Sequence, residues 1–133
     1  MAKSDTSLLR ELKRLTKGLQ FQSESDYPVE PFAPDAARGA ASAQDVVTSV
    51  QGDAEAHAVD FDNFFAAATE EQDWQDADAR ARVRKFQALV KYLKENLTDI
   101  QVFKVGDAEA DVYVIGKTAS GNFAGVKTKV VET

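Results

Sequence analysis

What this sequence lacks excludes several kinds of chemistry. Its 133 residues contain no cysteine, which excludes disulfides, thiolate catalysis and a cysteine-based zinc site. His57 is the only histidine, so a catalytic triad or a histidine-based metal site would have to be built around that residue. His57 lies between two alanines in a predicted short strand, where we expect an ordinary surface or half-buried histidine.

Long hydrophobic runs are also missing. No apolar segment approaches the roughly 20 residues that a membrane-spanning helix needs. Residues 1–14 are charged and amphipathic and contain no apolar signal core. We therefore expect a cytoplasmic protein with one domain, residues 1–133, which is monomeric when free.

Positive charge is scarce relative to negative charge. There are 16 Lys and Arg residues against 22 Asp and Glu, which gives a net charge of −6. This balance argues against direct binding of nucleic acid, because such binding depends on cations that neutralise phosphates. It fits a partner with a basic surface, including a protein that itself binds nucleic acid.

Hydrophobic periodicity predicts a mixture of helices and strands. Residues 5–17 and 61–68 are predicted helices, and a longer helix carries apolar residues at alternating intervals of three and four: Val83, Phe86, Val90, Leu93 and Leu97. Strands are predicted for 45–50, which is β-branched, and for 56–59, 101–105, 111–116 and 123–131. Residues 19–22 are predicted to be extended, 23–28 to be a polar turn, and the proline-rich stretch 28–34 to be irregular or edge structure. The short connections among the last three strands predict antiparallel neighbours.

Apparent catalytic motifs fail on inspection. Gly116-Lys117-Thr118 imitates the end of a phosphate-binding loop, but Asp111 stands where the earlier glycine is required. Carboxylates are plentiful, and a hydrolase based on a carboxylate pair remains open on composition alone. Because no spacing singles out such a pair, we expect a protein that is not an enzyme and has no cofactor of its own.

Three segments are candidates for a binding surface. The only tryptophan, Trp74, lies in the acidic, amide-rich run 70–78, and tryptophan is a common energetic anchor of interfaces. The alternative is that Trp74 packs under the start of the long helix. Glu24 lies on the predicted turn 23–28, where acids also simply solvate a loop. Thr133 follows the last predicted strand, although chain ends are often frayed and without a role.

These segments coincide with a family pattern. The sequence resembles the nuclease A inhibitor family over most of its length, while residues 33–57 depart from the pattern. The resemblance is carried by Ser23–Pro28, Gln72-Asp73-Trp74, Lys85-Phe86-Gln87, Asp111–Gly116 and Thr128–Thr133. It implies an α+β fold, a three-layer α/β/α sandwich with a largely antiparallel sheet, similar to that of the plant pathogenesis-related proteins.

The resemblance also implies a function. Members of this family inhibit a non-specific, magnesium-dependent DNA/RNA nuclease of the ββα-metal type, so we expect a 1:1 complex with such a nuclease. The family pattern places the terminal Thr133 at the Mg²⁺ ion of the nuclease and Glu24 in the position of the scissile phosphate. It places Asp73 and Trp74 in a second contact. The alternative is a non-catalytic binding module of the same fold whose partner is not a nuclease.

Overall fold

The structure is a computed structural model that describes residues 5–22, 26–33, 42–52, 56–70 and 74–131. The helices of the described part are α1 (Asp5–Thr16), α2 (Ala43–Gln51), α3 (Phe61–Thr69) and α4 (Ala77–Asn96). The strands are β1 (Gln20–Gln22), β2 (Asp26–Pro28), β3 (Glu30–Phe32), β4 (Ala56–Val59), β5 (Thr98–Val105), β6 (Glu109–Lys117) and β7 (Phe123–Val131).

Five strands form the central sheet in the order β3-β7-β6-β5-β4, and all neighbours are antiparallel. This confirms the antiparallel arrangement predicted for the last three strands. Strands β1 and β2 form a separate antiparallel hairpin. Strand β3 contains Pro31 and lies at a sheet edge, which confirms the prediction of edge structure in the proline-rich stretch.

Side chains that alternate along the strands divide the core between the two faces of the sheet. Val102, Val112 and Val126 pack on one face in a cluster with buried residues of α1, α3 and α4. Phe103, Tyr113 and Ile115 pack on the other face in a cluster with α2. Helices therefore cover both faces, and the predicted three-layer α+β sandwich is confirmed. The further likeness to the plant pathogenesis-related proteins stays a prediction.

Helix α4 determines where one candidate segment lies. The Asp76 carboxylate caps the helix by accepting a hydrogen bond from the Ala79 amide at 2.8 Å. Its inner face carries the buried residues Val83, Phe86, Leu89 and Leu93. Only Leu97 separates the helix from β5, so the two elements run in opposite directions. The start of α4 consequently lies towards the end of the sheet where β5 ends.

The prediction of a strand at residues 45–50 is wrong, because this segment belongs to α2. The Ser42 hydroxyl accepts a hydrogen bond from the Asp45 amide at 3.2 Å and caps the helix. Ala43, Val46 and Val47 are buried at spacings of three and four, which places them on one helical face against the sheet. This burial overrides the β preference of the valines. Residues 26–28 form strand β2 rather than part of a turn.

Candidate functional site

Trp74 is the one predicted contact residue that the structure describes; Glu24, Asp73 and Thr133 lie outside the described residues. The Trp74 side chain is 81% exposed. The alternative that it packs under the start of α4 is therefore wrong. A tryptophan this exposed gains little burial within its own chain, and most of its apolar surface is available to a partner.

The residues that follow Trp74 are anchored. Gln75 is half-buried and lines a cavity between β1, α3 and α4. Asp76 is the N-cap of α4, so its backbone position is tied to the helix. The exposed indole consequently lies beside a fixed helix start.

The β1–β2 hairpin brackets the segment that carries Glu24. Gln22 pairs with Asp26 and Phe21 with Tyr27, so residues 23–25 connect the two strands. The Phe21 ring stacks on Phe64 with centroids 4.7 Å apart and meets Phe86 edge-on at 5.9 Å. These aromatic contacts fix β1 to α3 and α4.

The second strand of this hairpin is fixed to β7. The Thr128 hydroxyl donates to the Pro28 carbonyl at 3.1 Å. The Lys129 ammonium lies 5.6 Å from the centroid of the Tyr27 ring, within the range of a cation–π contact. The hairpin therefore bridges the helical layer and the last strand of the sheet.

Strand β7 stays in the sheet to its last residue. Val131 pairs with Glu109, and Val130 is only 4% exposed. The Lys129 ammonium donates to the Glu109 carboxylate at 3.0 Å, and this bond together with the nearby negative charge raises the pKa of Lys129. The predicted terminal strand is thus confirmed up to two residues before Thr133.

The described residues next to all four predicted contacts lie at one end of the sheet. Phe21 and Gln75 line the same cavity, which places β1 beside the residue that follows Trp74. Tyr27 of β2 contacts Lys129 of β7. Lys129 lies opposite Asp111 of β6, and Asp111 lies opposite Val105 at the end of β5, so the hairpin is at the same end of the sheet. Sequence reasoning found the candidate segments, but this proximity emerges only from the fold.

Comparison with protein families matches residues 6–133 to the Nuclease A inhibitor-like protein family. The chain belongs to this family. A search among curated proteins found no match. Membership supports an inhibitory role for this nuclease A inhibitor-like protein.

The only histidine, His57, lies on the edge of the sheet that is farther from β7. It is exposed on the edge strand β4, opposite Lys104 of β5. Among the residues that the structure describes, there is no cluster of three or more His, Asp or Glu side chains that could hold a metal ion. No helix within the same ranges is long and apolar enough to cross a membrane.

Sequence reasoning missed a polar cleft of about 310 Å³ on the α2 face of the inhibitor-like protein. Asp111 and Tyr113 of β6 line it together with Lys127 and Lys129 of β7. Gln51 at the end of α2 donates to the Asp111 carboxylate at 3.0 Å and also to the Tyr113 hydroxyl. The pattern that could have revealed the cleft is the spacing of two in both strands, which puts these polar side chains on one face.

Proposed function

We propose that this protein inhibits a non-specific, Mg²⁺-dependent DNA/RNA nuclease of the ββα-metal type by occupying its active site in a 1:1 complex. The observation that carries the proposal is the 81% exposure of Trp74 at the end of the sheet where the flanks of Glu24 and Thr133 also lie. Membership of the inhibitor-like family supports the same function.

Thr133 and Glu24 would act by resembling the substrate. A nuclease site holds a polyanion against a divalent cation, and Mg²⁺ keeps coordination positions open for substrate oxygens. An oxygen of Thr133 suits such a position, since hard oxygen ligands are preferred there. The Glu24 carboxylate suits the cationic groups that normally bind the scissile phosphate. Neither residue offers a phosphodiester bond that the nuclease could cleave.

Trp74 and Asp73 would supply a second contact. A tryptophan that becomes desolvated at an interface contributes a large apolar area, and neighbouring polar residues exclude water from it. The Asp73 carboxylate would accept a charge-assisted hydrogen bond at the edge of this contact. The net charge of −6 would speed the encounter with a basic nuclease cleft.

The test is titration of a magnesium-dependent, non-specific nuclease with wild-type protein, Trp74→Ala and Val50→Ala. Val50 is the matched control because it is the other exposed large hydrophobic residue in the described part of the chain, at 40%, and it lies on α2. We expect wild type to inhibit, and Trp74→Ala to raise the inhibition constant about 30-fold or more, as for an interface hot spot.

Val50→Ala should inhibit within about twofold of wild type, since exposed contacts away from an interface contribute little. Equal inhibition by the two variants would show that Trp74 is not part of the contact with the nuclease. A wild-type protein that inhibits no such nuclease would contradict the proposed function and favour a binding module with another partner.

A further inference from the structure

We propose that the cavity beside Trp74 receives an apolar side chain of the partner nuclease, about the size of phenylalanine or leucine. The inference rests on the proposed function and adds to it a specific pocket that selects the partner. Five apolar residues from three elements form most of the wall: Phe21 of β1, Ala68 of α3, and Ala79, Val83 and Phe86 of α4. Gln75 and Arg82, both half-buried, complete it.

The size of the cavity limits its occupant. Its volume is about 140 Å³. An apolar cavity of about 150 Å³ in a protein holds a benzene molecule and stays free of water. A phenyl ring or a leucine side chain therefore matches the space, whereas a larger group would extend beyond it.

Position identifies the source of the occupant. Gln75 follows the exposed Trp74 directly, and Phe21 lies in the strand that leads to the segment carrying Glu24. The cavity thus opens between two parts of the proposed contact with the nuclease. Hot-spot residues cluster in well-packed pockets at the centre of an interface, and a partner's side chain that fills such a pocket contributes strongly to affinity.

The walls are arranged to keep the pocket formed without the partner. Val83 is 4% exposed and Phe86 1% exposed, so the floor belongs to the hydrophobic core. Phe21 is held by stacking on Phe64 and by its edge-on contact with Phe86. Because these groups are fixed in the free protein, the partner would not have to order them on binding.

The experiment fills the cavity from its α4 wall with Ala79→Leu. Leucine has nearly the helix propensity of alanine, and the Asp76 cap uses the backbone amide of residue 79, which the substitution retains. The matched control is Ala88→Leu, which makes the same change on the exposed face of the same helix. Ala68→Leu fills the cavity from α3 and serves as the second variant.

If the partner's side chain can no longer enter the cavity, its burial is lost, and the inhibition constant should rise by about one to two powers of ten. We therefore expect Ala79→Leu and Ala68→Leu to raise the inhibition constant about tenfold or more, with an unchanged circular dichroism spectrum. Ala88→Leu should stay within about twofold of wild type.

A measurement on the wild-type complex does not depend on how the variants fold. Methyl NMR of the labelled inhibitor with unlabelled nuclease should show contacts from partner protons to the Ala79 and Ala68 methyl groups, and none to the Ala88 methyl group. Folded Ala79→Leu that inhibits like wild type, or an absence of these contacts, overturns the pocket while the inhibitory function stands. A wild-type protein that does not inhibit contradicts the proposed function instead.

Discussion

Removing the Phe21 ring tests whether the β1–β2 hairpin must be fixed for inhibition. Phe21 is half-buried and joins the hairpin to α3 and α4 through its stacking on Phe64 and its edge-on contact with Phe86. Aromatic pairs of this geometry contribute about 0.5–1.5 kcal/mol beyond the area they bury. Full burial of a phenylalanine makes Phe→Ala cost about 3–5 kcal/mol. For the half-buried Phe21 we expect Phe21→Ala to lower the free energy of unfolding by about 2–3 kcal/mol.

Inhibition should weaken as well, for a reason separate from stability. A hairpin that is no longer held by Phe21 has to be ordered on binding, and the cavity beside Trp74 loses the wall that Phe21 forms; both changes oppose association. We expect the inhibition constant of folded Phe21→Ala to rise about tenfold, which corresponds to about 1.4 kcal/mol.

The matched control is Phe61→Ala. Phe61 is half-buried in the same aromatic cluster, with its ring centroid 5.0 Å from that of Phe65 and the Lys94 ammonium 5.4 Å away. It belongs to α3 and shares with Phe21 only the contact with the Phe65 ring; it makes no ring contact with Phe64 or Phe86, which hold Phe21 in place. Chemical denaturation and nuclease titration should show a comparable loss of stability but an inhibition constant within about twofold of wild type. An equal change in the inhibition constant for both variants would refute the role of the hairpin.

Three further predictions follow from single sites. Gly125→Ala should lower the free energy of unfolding by about 3 kcal/mol or more in a denaturant titration, because the added Cβ would lie 1.8 Å from the Val114 carbonyl oxygen. A variant about as stable as wild type would contradict this close approach. Burial raises the pKa of Tyr113, so folding favours the protonated phenol: its contribution to stability is complete below the ordinary tyrosine pKa of about 10 and is lost as the pH rises through the folded value. Tyr113→Phe should therefore reduce the fall in the free energy of unfolding at alkaline pH. An unchanged fall would contradict the raised pKa of Tyr113. Glu24→Gln should raise the inhibition constant about tenfold or more without changing the melting temperature, since under the proposed function it removes one charge of an interfacial pair with the nuclease. Its control, Glu30→Gln, changes an exposed acid on β3, and equal effects would show that general charge rather than Glu24 matters.

The sequence was most informative where the apolar residues of a periodic pattern are also the residues that the fold buries. The spacing from Val83 to Leu97 predicted α4, and the β-branched runs predicted β5 to β7, because each of these elements packs directly against the core. Residues 45–50 were misassigned because valines favour strands, whereas the spacing of Ala43, Val46 and Val47 also suits one face of a helix. Local preference could not decide between a strand and a helix for this segment. Packing of one helical face against the sheet favours the helix.

The candidate site shows a similar division. The residue type singled out Trp74 as a candidate contact. The sequence could not show whether the start of α4 covers its side chain, and the structure shows that it is exposed. The proximity of Phe21 to Gln75 and of Tyr27 to Lys129 joins segments far apart along the chain. Such contacts depend on the topology of the sheet and on the hairpin, neither of which a local pattern specifies.

The central claim, that Thr133 enters the active site of a nuclease, is tested most directly by extending the chain beyond it. Two forms would carry the same Gly-Ser extension, one after Thr133 and one before Met1, and both would be titrated against a magnesium-dependent, non-specific nuclease beside the wild type. The account predicts that the extension after Thr133 abolishes or sharply weakens inhibition, while the extension before Met1 leaves it unchanged. Full inhibition by the form extended after Thr133 would contradict the claim.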